Sequence, residues 1–101
     1  MVAMLEHSKL IGIAEQMMSG RVVAIGRKAF PVTRTGTHRF RTVRFEMDGK
    51  EYQAIEQNPE KPSRWGQAAR EGKRVVQFRD VDSGKYVAVV VDDRVFEYGR
   101  K

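Results

Sequence analysis

Cysteine is absent from the 101 residues. No disulfide can staple the fold, and no thiolate is on hand for catalysis or metal binding. Long apolar runs are missing too, and no stretch approaches the roughly 20 residues that a membrane helix needs. Residues 1–18 are interrupted by Glu6, His7, Lys9 and Glu15. They lack the continuous apolar core of a signal peptide, and they are not the Arg-rich, acid-poor helix of a transit peptide. These absences set the expectation of a cytoplasmic protein.

Histidine is scarce, with only His7 and His38. Neither sits in a motif such as Gly-x-Ser-x-Gly, so a Ser–His–Asp arrangement has no visible seat. Two histidines without cysteine would need carboxylates to hold zinc, and no ligand spacing of that kind occurs. The run Asp80-x-Asp82-x-Gly84 opens like a calcium loop but lacks the later ligands and the terminal Glu. A hairpin turn explains it. Gly26-Arg27-Lys28 does not have the spacing of a phosphate loop. The expectation is a protein that is not an enzyme and carries no cofactor or metal.

Acid is missing locally as well. From Gly20 to Phe45 there is no Asp or Glu, whereas Arg21, Arg27, Lys28, Arg34, Arg39, Arg41 and Arg44 all fall there. The chain carries a net charge of +6 from 19 basic and 13 acidic residues. Seven of those basic residues lie in this stretch, which leaves 12 against 13 acidic ones elsewhere. The positive excess is therefore local, and a surface built from it carries a one-signed field.

What is present suits one small soluble domain, 41% hydrophobic and 32% charged. Leu10, Ile13, Ala14, Met17 and Met18 have the spacing of one apolar helix face, which predicts a helix over 8–18 with Ser8 as cap and Gly20 past its end. Such a helix covers the open side of a barrel or mediates dimerisation. Val22 to Ile25, apolar on both faces, predict a strand over 21–27 buried by its neighbours, with a bulge or bend at Gly26. Residues 30–37, with Pro31 and Gly36, read as a basic loop.

The clearest local signal is Asp48-Gly49 between 38–47 and 50–57, a two-residue hairpin turn. Its register sets Met47 opposite Lys50, Phe45 opposite Tyr52, Val43 opposite Ala54 and Arg41 opposite Glu56. Val43, Phe45, Met47, Tyr52 and Ala54 then form a core face. Phe40, Thr42, Arg44, Gln53 and Ile55 form a mixed one. Ser63 caps a short helix over 64–71 closed by Gly72, with Trp65, Ala68 and Ala69 inward. Strands follow over 74–80, 86–91 and 94–98, the middle one suited to the centre of a sheet.

One domain over 1–101 is expected. It divides into a helix in 1–19, a basic strand and hairpin in 20–57, a short helix in 63–71 and a meander in 74–98. The fold class is α+β, a small, strongly bent antiparallel sheet or barrel of five to six strands. Helix, three strands, helix and two or three strands resembles the order of an OB-type barrel with an added leading helix. It is also similar to SH3-type and Sm-like barrels with an added middle helix. An open sheet with both helices on one face is the third arrangement.

The basic, acid-free stretch points to nucleic-acid binding through Arg27, Lys28, Arg34, Arg39, Phe40, Arg41 and Arg44. Cations hold phosphates and Phe40 offers a ring for base stacking. Phe40 could instead pack under the first helix, with the arginines simply solvated. Lys61, Arg64, Arg70, Lys73 and Arg74 form a second basic group, diluted by Glu60 and Glu71. The expected partner is single-stranded nucleic acid. The alternative is an accessory module that binds an acidic protein surface or forms a homodimer through the first helix.

Overall fold

The computed structural model describes residues 6–35 and 39–99. Residues 36–38, and with them His38 and the end of the segment expected as a basic loop, lie outside them. Helix α1 spans His7–Ser19 and buries Leu10, Ile13, Ala14 and Met17, the stripe that the spacing predicts. It starts one residue before Ser8. Glu6 occupies the cap position with no side-chain capping bond, and Gly20 leaves the helix in an extended conformation.

The segment after α1 departs most from expectation. Strand β1 (Val22–Ile25) pairs only with β2 (Lys28–Pro31) in a separate two-stranded sheet. Within β1 only Val23 is buried, and Val22 is 49% exposed. Gly26 is no bulge. With φ of +60° it is the first central residue of a tight turn, Gly26-Arg27, between the paired residues Ile25 and Lys28, the hairpin geometry that favours Gly at that position. Nor is 30–37 a plain loop, because β2 runs through Val32 into β3 (Thr33–Thr35), which joins the main sheet. Pro31 is tolerated because Val32 N–H, and not position 31, bonds back to Arg21 O across this hairpin.

Strands β3, β4 (Phe40–Met47), β5 (Lys50–Glu56), β6 (Val75–Asp80), β7 (Tyr86–Val91) and β8 (Arg94–Glu97) form one antiparallel sheet in chain order. The short helix α2 (Arg64–Arg70) thus follows five strands, not three. The sheet is open: β3 and β8 are its edges, and the described strands close no barrel. Asp48 and Gly49 both have positive φ, as the turn type demands. The β4–β5 register matches the expected one at Met47–Lys50, Phe45–Tyr52 and Val43–Ala54. At Arg41 the side chain of Glu56 takes over, accepting the Arg41 backbone N–H at 2.9 Å.

The two helices lie on opposite faces. One face packs Val43, Phe45, Met47, Tyr52, Ala54, Val76, Phe78, Ala88 and Val90 against α1 and Val23. Phe45 stacks on Tyr52 at 5.8 Å and meets Phe78 edge-on at 6.1 Å. Each large side chain buried here contributes about 1.5–3 kcal/mol. The other face holds a smaller cluster, where Ala68, Trp65 and Ala69 of α2 cover Val75, Val89, Val91 and Phe96. Ser63 caps α2, its hydroxyl accepting from Gly66 N–H at 3.1 Å. Because α2 has only seven residues, it covers one end of its face and leaves the rest open.

Candidate functional site

Alternation along the strands decides what lies on the uncovered part of the second face, hereafter the open face. From β4 it receives Phe40, Thr42 and Arg44, and from β5 Gln53 and Ile55. From β6 come Gln77 and Arg79. Tyr86 sits opposite Arg79 where the β6–β7 register shifts. Tyr98 follows β8, held by its N–H to Val87 O at 3.0 Å.

Two hydrogen-bond relays cross this face. In the first, Tyr98 OH donates to Gln77 Oε1 at 2.9 Å and Gln77 Nε2 donates to Gln57 Oε1 at 2.9 Å. Gln57 Nε2 then donates to Asn58 O at 3.1 Å. In the second, Arg79 donates to Gln53 Oε1 at 2.6 Å, and Gln53 Nε2 donates to Thr42 Oγ1 at 3.1 Å. Arg79 orients Gln53, since a guanidinium has no acceptor, and the Asn58 carbonyl, which can only accept, orients Gln57 and through it Gln77.

The first relay forms the floor of a groove. One part of it, of about 260 Å³, is lined by Phe40, Ile55, Gln57, Lys61, Gln77 and Tyr86. The adjoining part, of about 560 Å³, shares Gln57, Gln77 and Tyr86 and adds Lys85 and Tyr98. Tyr86 is 49% and Tyr98 38% exposed. From β4 to β8 the face crosses four strand spacings, roughly 19 Å. The Lys61 and Lys85 ammonium groups have no hydrogen-bond or ion-pair partner among the described residues.

The seven residues singled out from the sequence do not come together. Arg41 and Arg44 are three apart on one strand and point to opposite faces. Arg41 turns to the α1 side, 3.9 Å from Glu56 and from Met18 Sδ. Its ladder partner Arg34 bonds to Arg39 O at 3.0 Å. Arg27 and Lys28 lie on the β1–β2 hairpin, and Lys28 reaches Glu46, five residues or roughly 17 Å along β4 from Arg41. Phe40 and Arg44 alone share the open face. Phe40 does not pack under α1.

Lys28 and Arg44 also have a structural task. Glu46 and Glu51 stand directly opposite each other in the β4–β5 ladder, a like-charge pairing that destabilises a sheet. Lys28 lies 3.4 Å from Glu46 and Arg44 lies 3.8 Å from Glu51, so each acid has its own cation. The positive charge of 27–44 is thus largely engaged within the fold. In the second basic group Arg70, Lys73 and Arg74 are engaged likewise, Arg70 with Pro59 O and Lys61 O, Lys73 with Glu71 and Arg74 with Asp93. Lys61 and Arg64 keep their charges unpaired.

Sequence reasoning missed Gln57, Gln77, Tyr86, Lys85 and Tyr98. Gln77 on β6 and Tyr98 just past β8, with β7 between them, were legible as same-face residues of one sheet. Tyr86 was not, because the register shift between Phe78 and Arg79 changes the face it reaches. Among the described residues no three His, Asp or Glu side chains form a metal cluster, and no helix is long and apolar enough to cross a membrane. The Asp80-Ser83 segment is a turn, in which Asp80 Oδ1 accepts from Ser83 N–H at 3.2 Å. The Lys50 ammonium, 2.7 Å from Asp80, holds that carboxyl below its ordinary value, helped by the Ser83 N–H. Comparison of the chain with protein-family models, with curated proteins and with solved structures found no match.

Proposed function

We propose that the chain binds single-stranded nucleic acid in the groove on the open face of its sheet. One observation carries this reading: Phe40, Tyr86 and Tyr98 surround a single groove with a hydrogen-bonding floor and unpaired lysines at its rim. Phosphates call for cations, and bases call for flat rings and amide groups. Open antiparallel sheets with exposed aromatic residues suit single strands because unstacked bases lay their faces on the rings. A duplex offers no free base faces and would leave the rings unused.

In this reading Tyr86 and Tyr98 stack bases, with Phe40 closing the far end of the groove. The free lone pair and N–H of the Gln57 and Gln77 amides meet base edges, and Lys61 and Lys85 contact phosphates. The basic segment 27–44 contributes Arg39 near the Phe40 end and a general attraction. An acidic protein partner would need the lysines but not the rings, so ring substitutions separate the two.

The test is titration of labelled single-stranded RNA and DNA over a salt series. Tyr86→Ala is expected to weaken binding by about 1–3 kcal/mol. Lys61→Gln and Lys85→Gln are each expected to flatten the log–log salt slope by about 0.7. Binding that ignores Tyr86→Ala, or that prefers a duplex, contradicts the reading.

A further inference from the structure

A second site lies beyond the open face, at the end of the same sheet face that α2 covers. Between α2 and the β7–β8 turn is a cavity of about 530 Å³, lined among others by Arg64, Trp65, Lys73, Arg94 and Phe96, a size ordinary for small-ligand sites. Trp65 and Phe96 rings meet at 5.2 Å. The Arg64 guanidinium lies 4.3 Å from the Trp65 ring centroid and 5.5 Å from that of Phe96. Arg94 lies 5.9 Å from the Phe96 centroid. Two arginines therefore share one aromatic ring.

Stacking on a ring fixes the plane of a guanidinium and leaves its N–H groups, all at the edge, free to donate. Neither Arg64 nor Arg94 has a hydrogen-bond or ion-pair partner among the described residues. The acids on the cavity wall are engaged elsewhere. Glu71 is 3.6 Å from Lys73 and accepts from Gln67, Asp92 accepts the Arg74 backbone N–H at 2.9 Å, and Asp93 is 3.6 Å from Arg74. None of these carboxylates pairs directly with Arg64 or Arg94, so the wall presents two guanidinium forks with N–H groups free to donate. Planar, bidentate donors of this kind match the oxygens of a phosphate group.

We infer that this cavity is a phosphate-binding site, with Arg64 and Arg94 as the ligating forks and Trp65 and Phe96 as the platform that holds them. The phosphate could belong to a free mononucleotide or to a nucleic-acid strand. Phe96 and Tyr98 lie two residues apart on the same face, about 7 Å along the chain. A strand in the groove could reach both. The site stands on its own contacts and does not depend on the ligand of the groove.

Trp65 is the only tryptophan in the chain, so its fluorescence reports this cavity alone. The probes are inorganic phosphate, adenosine monophosphate and a single-stranded oligonucleotide, each against sodium chloride at matched ionic strength. A saturable change in Trp65 emission with phosphate or the mononucleotide is expected. Arg94→Gln, which leaves the Arg64–Trp65 contact in place, should weaken the response about tenfold. Lys9→Gln, on α1 behind the sheet, should leave it unchanged. Near-ultraviolet circular dichroism checks that both variants fold. A response to the mononucleotide but not the oligonucleotide assigns the site to free ligands, and a response to both assigns it to strands as well. No saturable response to phosphate or the mononucleotide, or an equal one in Arg94→Gln, overturns the inference. Loss of oligonucleotide binding in the groove with the phosphate response intact would reject the groove reading alone.

Discussion

Gln16 grips the backbone of Ala24 with both ends of its side-chain amide: Ala24 N–H donates to Oε1 at 2.8 Å, and Nε2 donates to Ala24 O at 3.3 Å. These are the groups that Ala24, on the outer edge of the β1–β2 hairpin, turns away from β2. A free edge of this kind is a template for another strand, and α1 blocks it with one glutamine. Gln16→Ala is expected to lower stability by about 1 kcal/mol, since two partly exposed hydrogen bonds are lost and water replaces them. Urea denaturation reads the loss, and light scattering at high concentration should show increased association.

Two glycines in helices predict opposite outcomes. A Cβ at Gly12 in α1 would meet nothing within 4 Å, so Gly12→Ala should stabilise the protein by about 1 kcal/mol through helix propensity. A Cβ at Gly66 in α2 would come within 2.1 Å of Lys61 O, and Gly66 N–H already serves the Ser63 cap. Gly66→Ala should cost about 1–3 kcal/mol by forcing the Asn58–Pro62 turn away from α2. Thermal melts of the two variants, shifted in opposite directions, check both.

The hairpin 40–56 was legible because Asp48-Gly49 allows one tight turn, and a period of two then assigns every face. The α1 stripe was legible for the same reason at a period of 3.6. The β1–β2 hairpin was not, because Pro31 reads as a strand breaker unless its position is known to need no N–H. That omission hid β2 and β3 and left the open sheet as only one of three arrangements that the strand order allowed. The seven basic-stretch residues are dispersed for a different reason. A charge count records cations but not their partners, and the opposed Glu46 and Glu51 engage Lys28 and Arg44. The same register that gave the core face contains that pairing.

Stability should fall at both ends of the pH range for nameable reasons. Asp80 is held below its ordinary value by the hydrogen bond from Lys50, then by the Ser83 N–H. Its contribution is complete above about pH 5 and is lost as pH falls through the depressed value. Lys50 is held above its ordinary value by the same bond, so its contribution is complete below about pH 9 and is lost as pH rises through the raised value. Burial raises Tyr52, whose phenol must stay neutral in the core, which adds to the loss above about pH 10. Asp80→Asn should flatten the acid limb of a denaturation midpoint plotted against pH. An unchanged acid limb would remove Asp80 from this account.

The central claim is that aromatic rings on the open face, and not the basic segment alone, hold the ligand. Fluorescence polarisation with a short labelled single-stranded oligonucleotide tests it, comparing the unmodified protein with Tyr86→Ala and with Arg27→Gln at fixed salt. Arg27 carries charge on the β1–β2 hairpin, away from the groove, with no partner among the described residues. The account predicts that Tyr86→Ala weakens binding by about tenfold or more and Arg27→Gln by only a few-fold. Equal losses in the two variants, or a larger loss in Arg27→Gln, would contradict it.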